Sequence, residues 1–279
     1  MGGTLGTALV TGASSGIGLD LSCLLARDGA RVVMSAGNEE RLRRAAVWVR
    51  QQWPNADLLV VPADLGRGGA ATALHTRVVE EAGPIDFLIN NAGLGAAGPF
   101  AGTDLARALH IMQVNMTSLV ELTQPCLKGM LARRRGRILN VASMAGFVPG
   151  PLMAIYYASK AFVLSFSEAL AEEVRDSGVT VTALCPGPTT TGFQKRAGLA
   201  PTRSQNSRLV MASAPVAASG YRAALEGRRV VVPGLANKVM IQALRFMPRS
   251  AVAAAVRRAH HPIVPARDGA DPRDEGPSR

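Results

Sequence analysis

Tyr156 and Lys160 lie four positions apart near the start of a stretch that predicts a long helix, so both should project from one face. Tyrosine exchanges a proton with a reacting oxygen readily only if its pKa, ordinarily about 10, falls towards neutral pH. An ammonium about 4 Å away contributes roughly 4 kcal/mol at an effective dielectric near 20, or about three pKa units. Tyr157 has Ala161 four residues later instead of a lysine. The spacing therefore favours Tyr156 as the acid or base.

A second candidate is the glycine-rich segment TGASSGIG at residues 11–18, which joins an apolar run to a helical pattern. Glycine allows a sharp turn and close approach of the backbone, and a helix N-terminus offers free N–H groups to an anion. In the first strand–helix unit, such a loop predicts a pyrophosphate site. The residues expected to form it are Gly12, Ser14, Ser15, Gly16, Ile17 and Gly18.

The surrounding pattern alternates apolar, strand-like runs with helical stretches. The seven predicted strands are TALVTG, RVVMSA, DLLVVPA, IDFLIN, GRILNVAS, VTVTALCPG and RRVVVPG. Helices are predicted between them at residues 17–27, 39–52, 69–82, 104–131 and 157–176. Strands separated by single helices imply right-handed crossovers and a parallel sheet. The predicted fold class is therefore α/β: a Rossmann-like, doubly wound, seven-stranded parallel sheet with helices on both faces.

The glycine loop resembles the TGxxxGxG signature of the short-chain dehydrogenase/reductase family, in its single-domain branch. Asp64 fits the family's adenine-contacting acid, and the NNAG sequence at residues 90–93 fits its motif after the fourth strand. With Asn115 and Ser143, the Tyr156–Lys160 pair resembles the family's Asn-Ser-Tyr-Lys tetrad in order. The C-terminal region is similar to that of DltE-like members and actinobacterial ketoreductases.

The resemblance implies transfer of a hydride between NAD(P)(H) and a carbonyl or alcohol, with a lipophilic ketone or ketoacyl compound as substrate. It implies that Lys160 also binds the nicotinamide ribose, Ser143 orients the carbonyl and Asn115 holds a proton-relay water. Thr191 would face the carboxamide end of the nicotinamide. Further expected cofactor contacts are Asp64, Leu65, Asn91, Ala92, Gly93, Pro186, Gly187 and Thr189.

The choice between the two coenzymes depends on residues 35–38, Ser-Ala-Gly-Asn, after the second strand. An acid there would bind the ribose hydroxyls of NAD, whereas an arginine accommodates the 2′-phosphate of NADP. Neither occupies this position. The lack of a repelling carboxylate favours NADP(H), with Asn38 and Arg41 nearby, although an ordinary exposed helix arginine is the simpler interpretation of Arg41.

Composition excludes some other classes of protein. The net charge is +11, but aromatic residues are only 4% and no recognised binding motif accompanies the basic residues, which argues against a nucleic-acid partner. The three cysteines are widely separated and show no metal-ligand spacing, so we expect no metal. With no signal-like opening and no uncharged run long enough to span a bilayer, the expected location is the cytoplasm, with peripheral membrane contact as an alternative.

We expect a single catalytic domain at residues 1–235, with a substrate lid around residues 188–213. Residues 94–103 should supply an apolar wall, and Lys195, Arg196, Arg203 and Arg208 a basic mouth. Residues 236–259 predict basic amphipathic helices broken near Pro248, and residues 260–279 a disordered tail. These helices could cover the substrate entrance, form a subunit interface or contact a membrane surface. A homodimer or homotetramer and a catalytically silent, dinucleotide-sensing scaffold are further possibilities.

Overall fold

Nine strands are present in the computed structural model, which describes residues 5–193, 197–198 and 210–260. They are β1 (Thr7–Thr11), β2 (Arg31–Ser35), β3 (Leu58–Val60), β4 (Ile85–Asn90), β5 (Gly136–Val141), β6 (Val179–Leu184), β7 (Thr189–Thr190), β8 (Met211–Ala212) and β9 (Val230–Val231). Seven form one parallel sheet in the order β3-β2-β1-β4-β5-β6-β9, and β7 pairs with β8. The predicted seven-stranded parallel sheet is therefore confirmed.

Nine α-helices connect or follow the strands in the described part of the chain. They are α1 (Gly16–Arg27), α2 (Glu39–Gln52), α3 (Ala70–Ala82), α4 (Leu105–Met112), α5 (Ser118–Ala132), α6 (Ala154–Glu173), α7 (Ser213–Leu225), α8 (Leu235–Leu244) and α9 (Arg249–His260). Apolar side chains of α1, α2 and α7 share one core cluster with the sheet, and those of α3, α5 and α6 share a second. The sheet is thus covered on both faces, as expected for parallel strands.

The two core clusters follow from the alternation of side chains along each strand. In β1, Val10 belongs to the cluster of α1 and α2, whereas Leu9 belongs to the cluster of α3 and α5. Ile89 and Leu88 divide between the same two clusters in β4. Because both faces are buried, each strand reads as a continuous apolar run.

The single helix predicted over residues 104–131 is wrong in one respect: it is interrupted. Gln113–Thr117 forms a π-helical turn between α4 and α5. An inserted π turn shifts the side-chain register, and such turns commonly occur at functional sites. Asn115 lies in this turn and is buried. The register shift is not visible in the apolar spacing of the sequence, since apolar residues continue on both sides of it.

The strand order reverses between β1 and β4, and open α/β sheets bind ligands outside the carboxyl ends of their strands at such a point. The glycine loop follows β1, Asn91 follows β4 and Ser143 follows β5. The candidate residues therefore meet at one edge. The predicted irregular segment after residue 188 contains the short β7–β8 pair instead of coil alone.

Lys195, Arg196, Arg203, Arg208 and the tail from residue 261 lie outside the described residues. The C-terminal extension forms α8 and α9, separated near Pro248. Within the described residues, every helix is too short or too polar to cross a bilayer.

Candidate active site

Tyr156, Lys160 and Ser143 meet where β5 ends and α6 begins. Ser143 lies two residues beyond β5, and its hydroxyl forms a hydrogen bond with Tyr156 in the first turn of α6. The Lys160 Nζ lies 5.9 Å from the centroid of the Tyr156 ring and donates a hydrogen bond of 2.7 Å to the Val141 carbonyl oxygen. A phenol, a hydroxyl and an ammonium are thus gathered at one sheet edge.

Burial has the largest effect on the pKa values of Tyr156 and Lys160. Desolvation raises the pKa of Tyr156 and outweighs the opposing effect of the hydrogen bond with Ser143. Burial also lowers the pKa of Lys160 to about 8, because an ammonium loses hydration there. Burial therefore opposes the depression of the Tyr156 pKa that the sequence predicts from Lys160. The Lys160 ammonium is hydrogen-bonded to a backbone carbonyl, and the phenol is desolvated.

Asn115 connects the loop after β4 to the helix that carries Tyr156. Its Oδ1 accepts a hydrogen bond of 2.8 Å from the Leu94 N–H, and its Nδ2 donates to the Leu94 carbonyl oxygen at 2.9 Å. The same Nδ2 donates to the Ser159 hydroxyl oxygen at 2.9 Å, and Ser159 donates to the Tyr156 carbonyl oxygen at 2.7 Å. Asn115 therefore fixes the loop after β4 relative to the first turn of α6. Sequence reasoning missed Ser159, whose type and place carry no signal of their own.

The glycine loop is packed too tightly for larger residues. Gly12 has a φ of +66°, and a Cβ on it would lie 2.7 Å from the Asn91 Nδ2. A Cβ on Gly18 would lie 2.5 Å from the Gly12 carbonyl oxygen. Ser15 precedes α1, and within the described residues its side chain makes no capping hydrogen bond. The first N–H groups of α1 thus keep their donor capacity beside a narrow loop. Ser14, Ser15, Gly16 and Ile17 are partly buried.

Thr11, the last residue of β1, organises the neighbouring strand end and was not among the predicted site residues. Its Oγ1 accepts hydrogen bonds of 3.0 Å from the N–H groups of both Asn91 and Ala92. The Asn91 side chain donates to the Thr11 carbonyl oxygen at 2.9 Å. At Gly93, a Cβ would lie 3.5 Å from the Lys160 Nζ. The residues after β4 are therefore fixed between the glycine loop and Lys160.

Asp64 follows β3 in the chain, and its side chain is exposed. Its Oδ1 accepts a hydrogen bond of 3.1 Å from the Gly66 N–H, and its Oδ2 forms an ion pair of 3.4 Å with the Arg67 Nε. Leu65 is buried behind it. A Cβ on Gly37 would lie 3.7 Å from the Asp64 Cα, so the ends of β2 and β3 are adjacent.

Asn38 and Arg41 lie at the start of α2, after β2. The Asn38 Oδ1 accepts a hydrogen bond of 2.8 Å from the Arg41 N–H and so caps the helix. Arg43 and Arg44 each form an ion pair with the glutamate one turn earlier. The Arg41 side chain is exposed and forms no ion pair among the described residues. It is therefore an accessible cation near the end of β2.

The segment after β6 returns to the glycine loop. The Pro186 carbonyl oxygen accepts a hydrogen bond of 3.4 Å from the Ser143 hydroxyl. Thr189 donates to the Gly187 carbonyl oxygen at 2.9 Å. A Cβ on Gly16 would lie 3.0 Å from the Thr191 Cγ2, so Thr191 touches the loop.

Phe193 covers Tyr156 from the lid side. Their ring centroids are 5.0 Å apart, with an angle of 42° between the planes. A Cβ on Gly95 would lie 2.7 Å from the Phe193 Cζ, and the Ala97 N–H donates to the Ala197 carbonyl oxygen at 3.0 Å. The start of the lid is thus packed on the loop after β4. Phe193 was not predicted, because the contact joins segments far apart in sequence.

A small cavity of about 30 Å³, lined mainly by apolar residues, adjoins the segment that leads into α6. Residues of the loop after β4, of α4 and of positions 152–155 line it, among them Phe100, Ile111, Leu152, Met153 and Ile155. The apolar wall predicted at residues 94–103 contributes Ala96, Gly98, Phe100 and Thr103.

Comparison with known proteins agrees with this geometry. A protein of Streptomyces coelicolor, named provisionally as a ketoacyl reductase, is 40% identical over 182 residues, which cover 64% of this chain and 69% of that protein. The ketoacyl reductase HetN of Nostoc sp. is 35% identical over 181 residues, 65% of this chain and 62% of its own length, so the match spans less than two thirds of that relative.

A solved short-chain dehydrogenase from Sphingobium yanoikuyae, in complex with NADPH, has a similar structure. The TM-score is 0.76 at 30% identity, and the match covers 95% of this chain and 99% of that chain. The family model described as short chain dehydrogenase matches residues 6–201. The chain therefore belongs to the short-chain dehydrogenase family.

Proposed function

We propose that this protein is an NADPH-dependent reductase of ketoacyl compounds. The observation that supports the proposal best is the convergence of Tyr156, Lys160 and Ser143 beside the glycine loop at the strand-order reversal. A sensor or scaffold without catalysis has no need of an acid–base phenol and a buried ammonium at the same edge.

The residues present fit a nicotinamide dinucleotide. The narrow turn at Gly12 and the unused N–H groups at the start of α1 suit a pyrophosphate, which needs close backbone approach. The Gly93 backbone lies beside Lys160, whose ammonium can donate hydrogen bonds to ribose hydroxyls. When bound, the reduced nicotinamide supplies the hydride for the carbonyl carbon.

Side chains of this protein then bind and protonate the carbonyl oxygen of the substrate. Ser143 donates a hydrogen bond to the substrate carbonyl, and Tyr156 donates its phenolic proton as negative charge develops on that oxygen. Lys160 stabilises the resulting tyrosinate through its positive charge. Asn115 holds Leu94 and, through Ser159, the first turn of α6, so that these groups keep their positions. Phe193 limits access of water to Tyr156.

The protonated state of the Tyr156 phenol suits a proton donor in carbonyl reduction. A phenol with a raised pKa is protonated at neutral pH, which is the form that an acid requires. Alcohol oxidation would need the tyrosinate, which burial disfavours. The names of the two ketoacyl reductase relatives and the apolar cavity next to α6 support an acyl substrate.

The NADPH preference is expected to depend on Arg41. Replacing Arg41 by alanine should raise the Kd for NADPH about 5- to 10-fold, because a solvent-exposed guanidinium–phosphate pair contributes on the order of 1 kcal/mol. The Kd for NADH, which lacks the 2′-phosphate, should change less than twofold. Arg44→Ala is the matched control, since Arg44 is on the same helix and paired with Glu40. Fluorescence titration of both coenzymes measures the effect, and an equal loss for NADH would contradict this role.

A second candidate, a ketoreductase that works at a membrane surface, is favoured by α8 and the turn after it. Leu235, Val239, Phe246 and Met247 are exposed there, Phe246 to 89%. Residues 235–260 contain five Lys or Arg and no Asp or Glu. Exposed apolar side chains among cations match an anionic lipid surface.

In sedimentation with vesicles, Phe246→Asp should lower binding to anionic phosphatidylglycerol vesicles about 10-fold or more, since burying a phenylalanine contributes about 2 kcal/mol. Val47→Asp is the control, because Val47 is also an exposed apolar residue, on α2. Equal sedimentation of the protein and of both variants, or equal binding to neutral phosphatidylcholine vesicles, would argue against this candidate.

A further inference from the structure

His260, the last residue of α9, contacts the tyrosine next to Tyr156. The His260 Nε2 lies 2.9 Å from the Tyr157 hydroxyl oxygen, and the two rings meet edge to face with centroids 5.4 Å apart. The His260 Nδ1 lies 3.0 Å from the Pro151 carbonyl oxygen. With the proton on Nδ1, the imidazole donates to Pro151 and accepts from Tyr157, so both ring nitrogens have a partner.

The loop held by this contact, residues 150–153, is tightly packed. A Cβ on Gly150 would overlap the Tyr157 ring, so the loop cannot move towards the helix. Leu152 has a φ of +67°, which is unusual for a residue with a branched side chain. Its carbonyl oxygen accepts a hydrogen bond of 2.8 Å from the Gly98 N–H.

The same loop forms a wall of the apolar cavity. Leu152 and Met153 line it opposite the residues after β4. Tyr156 follows three residues after Met153, in the first turn of α6. The position of the loop therefore affects the width of the cavity.

Helices α8 and α9, which lead to His260, are held against the rest of the protein by contacts of their own. Val252 of α9 and Ile241 of α8 are buried. Asn237 of α8 is buried too, and its Nδ2 donates to the Pro233 carbonyl oxygen at 3.0 Å. A Cβ on Gly187 would lie 2.6 Å from that Nδ2, which places α8 against the segment after β6. The contact from His260 thus joins the loop to an element already fixed on the body of the protein.

We propose that His260 is a positioning residue that fixes residues 150–153 and thereby sets the acyl-chain length that the cavity accepts. The chain-length part rests on the proposed ketoacyl reductase function. His260 does not touch the reacting atoms; it acts through Pro151 and Tyr157. Helices α8 and α9 are then part of the substrate-binding structure. Through His260, the end of α9 selects among ketoacyl substrates by the length of their apolar tail.

The test compares two substrates of different length, acetoacetyl and 3-oxodecanoyl N-acetylcysteamine thioesters. In His260→Ala, KM for the longer thioester should rise about 10-fold, because two hydrogen bonds of ordinary strength are lost. The kcat for the longer thioester should change less than about twofold in this variant, and so should kcat and KM for the acetoacetyl thioester. Arg258→Ala is the control, since Arg258 is exposed on the same helix. Tyr157→Phe should resemble His260→Ala, and the double variant should be little worse than either.

Hydrogen exchange tests the contact without turnover. The amides of Gly150, Leu152 and Met153 and those of α9 should exchange about 10-fold faster in His260→Ala, whereas those of β5 should be unaffected. Unchanged exchange together with an unchanged ratio of the two KM values would overturn the proposal. If the unaltered protein reduces neither thioester, the proposed function fails instead, and the exchange result alone decides whether His260 fixes the loop.

Discussion

Turnover of a ketoacyl thioester with NADPH is expected to fall about 10²- to 10⁴-fold when Tyr156 is replaced by phenylalanine, the range that a positioned general acid contributes. The ring and its packing on Phe193 remain, and only the phenolic proton is removed. The Kd for NADPH should therefore change little. Steady-state kinetics at pH 7, with coenzyme binding measured in parallel, separates loss of chemistry from loss of binding.

The control for this variant is Tyr221→Phe. Tyr221 is in α7, and its hydroxyl donates a hydrogen bond of 2.8 Å to Asp28. Neither residue belongs to the candidate site. Its loss should lower stability slightly and leave turnover nearly unchanged. If Tyr156→Phe retained more than about a tenth of the turnover, the phenol could not be the acid.

A pH-dependent change in stability is expected from Lys160. Burial lowers its pKa to about 8, from an ordinary value of 10.5. Between these values the unfolded chain binds more protons at this residue than the folded protein does, so its contribution to stability rises with pH across that window. Below pH 8 the buried ammonium is charged and its desolvation cost is fully present. The difference of about 2.5 pKa units corresponds to roughly 3 kcal/mol over the whole window.

The Lys160→Met variant lacks this titration. Relative to the unaltered protein, its free energy of unfolding should be highest near pH 7, and the difference should fall by about 2–3 kcal/mol on going to pH 10. Urea denaturation at several pH values measures it, and taking differences cancels other groups that titrate in the same range. Lys128→Met, at an exposed position of α5, is the control. A difference that did not vary with pH would mean that the Lys160 pKa is not lowered.

Local patterns in the sequence were sufficient to predict the fold and to propose the centre of the site. The parallel sheet followed from alternating apolar runs and helices, because each βαβ unit carries its own periodicity. Tyr156 and Lys160 are four residues apart in one helix, and the glycine loop is continuous, so neither needed a tertiary contact to be recognised. Their roles are now part of the proposed function.

What could not be predicted depends on contacts between distant segments. Phe193 reaches Tyr156 only after the lid folds back, and His260 meets Tyr157 across 103 positions. The π-helical turn at Asn115 gives no signal in the apolar spacing. The raised pKa of Tyr156 could not be predicted either, because burial, which raises it, is a tertiary property.

The most direct test of the central claim is to mix the purified protein with NADPH and 3-oxodecanoyl thioester, follow the nicotinamide absorbance, and identify the product by mass spectrometry. The proposed function predicts consumption of one NADPH for each 3-hydroxyacyl product formed, with both processes slowed together, about 10²- to 10⁴-fold, in Tyr156→Phe. Tight binding of NADPH without any product from this or the acetoacetyl thioester would contradict a ketoacyl reductase. Failure to bind either coenzyme would contradict the dinucleotide site itself.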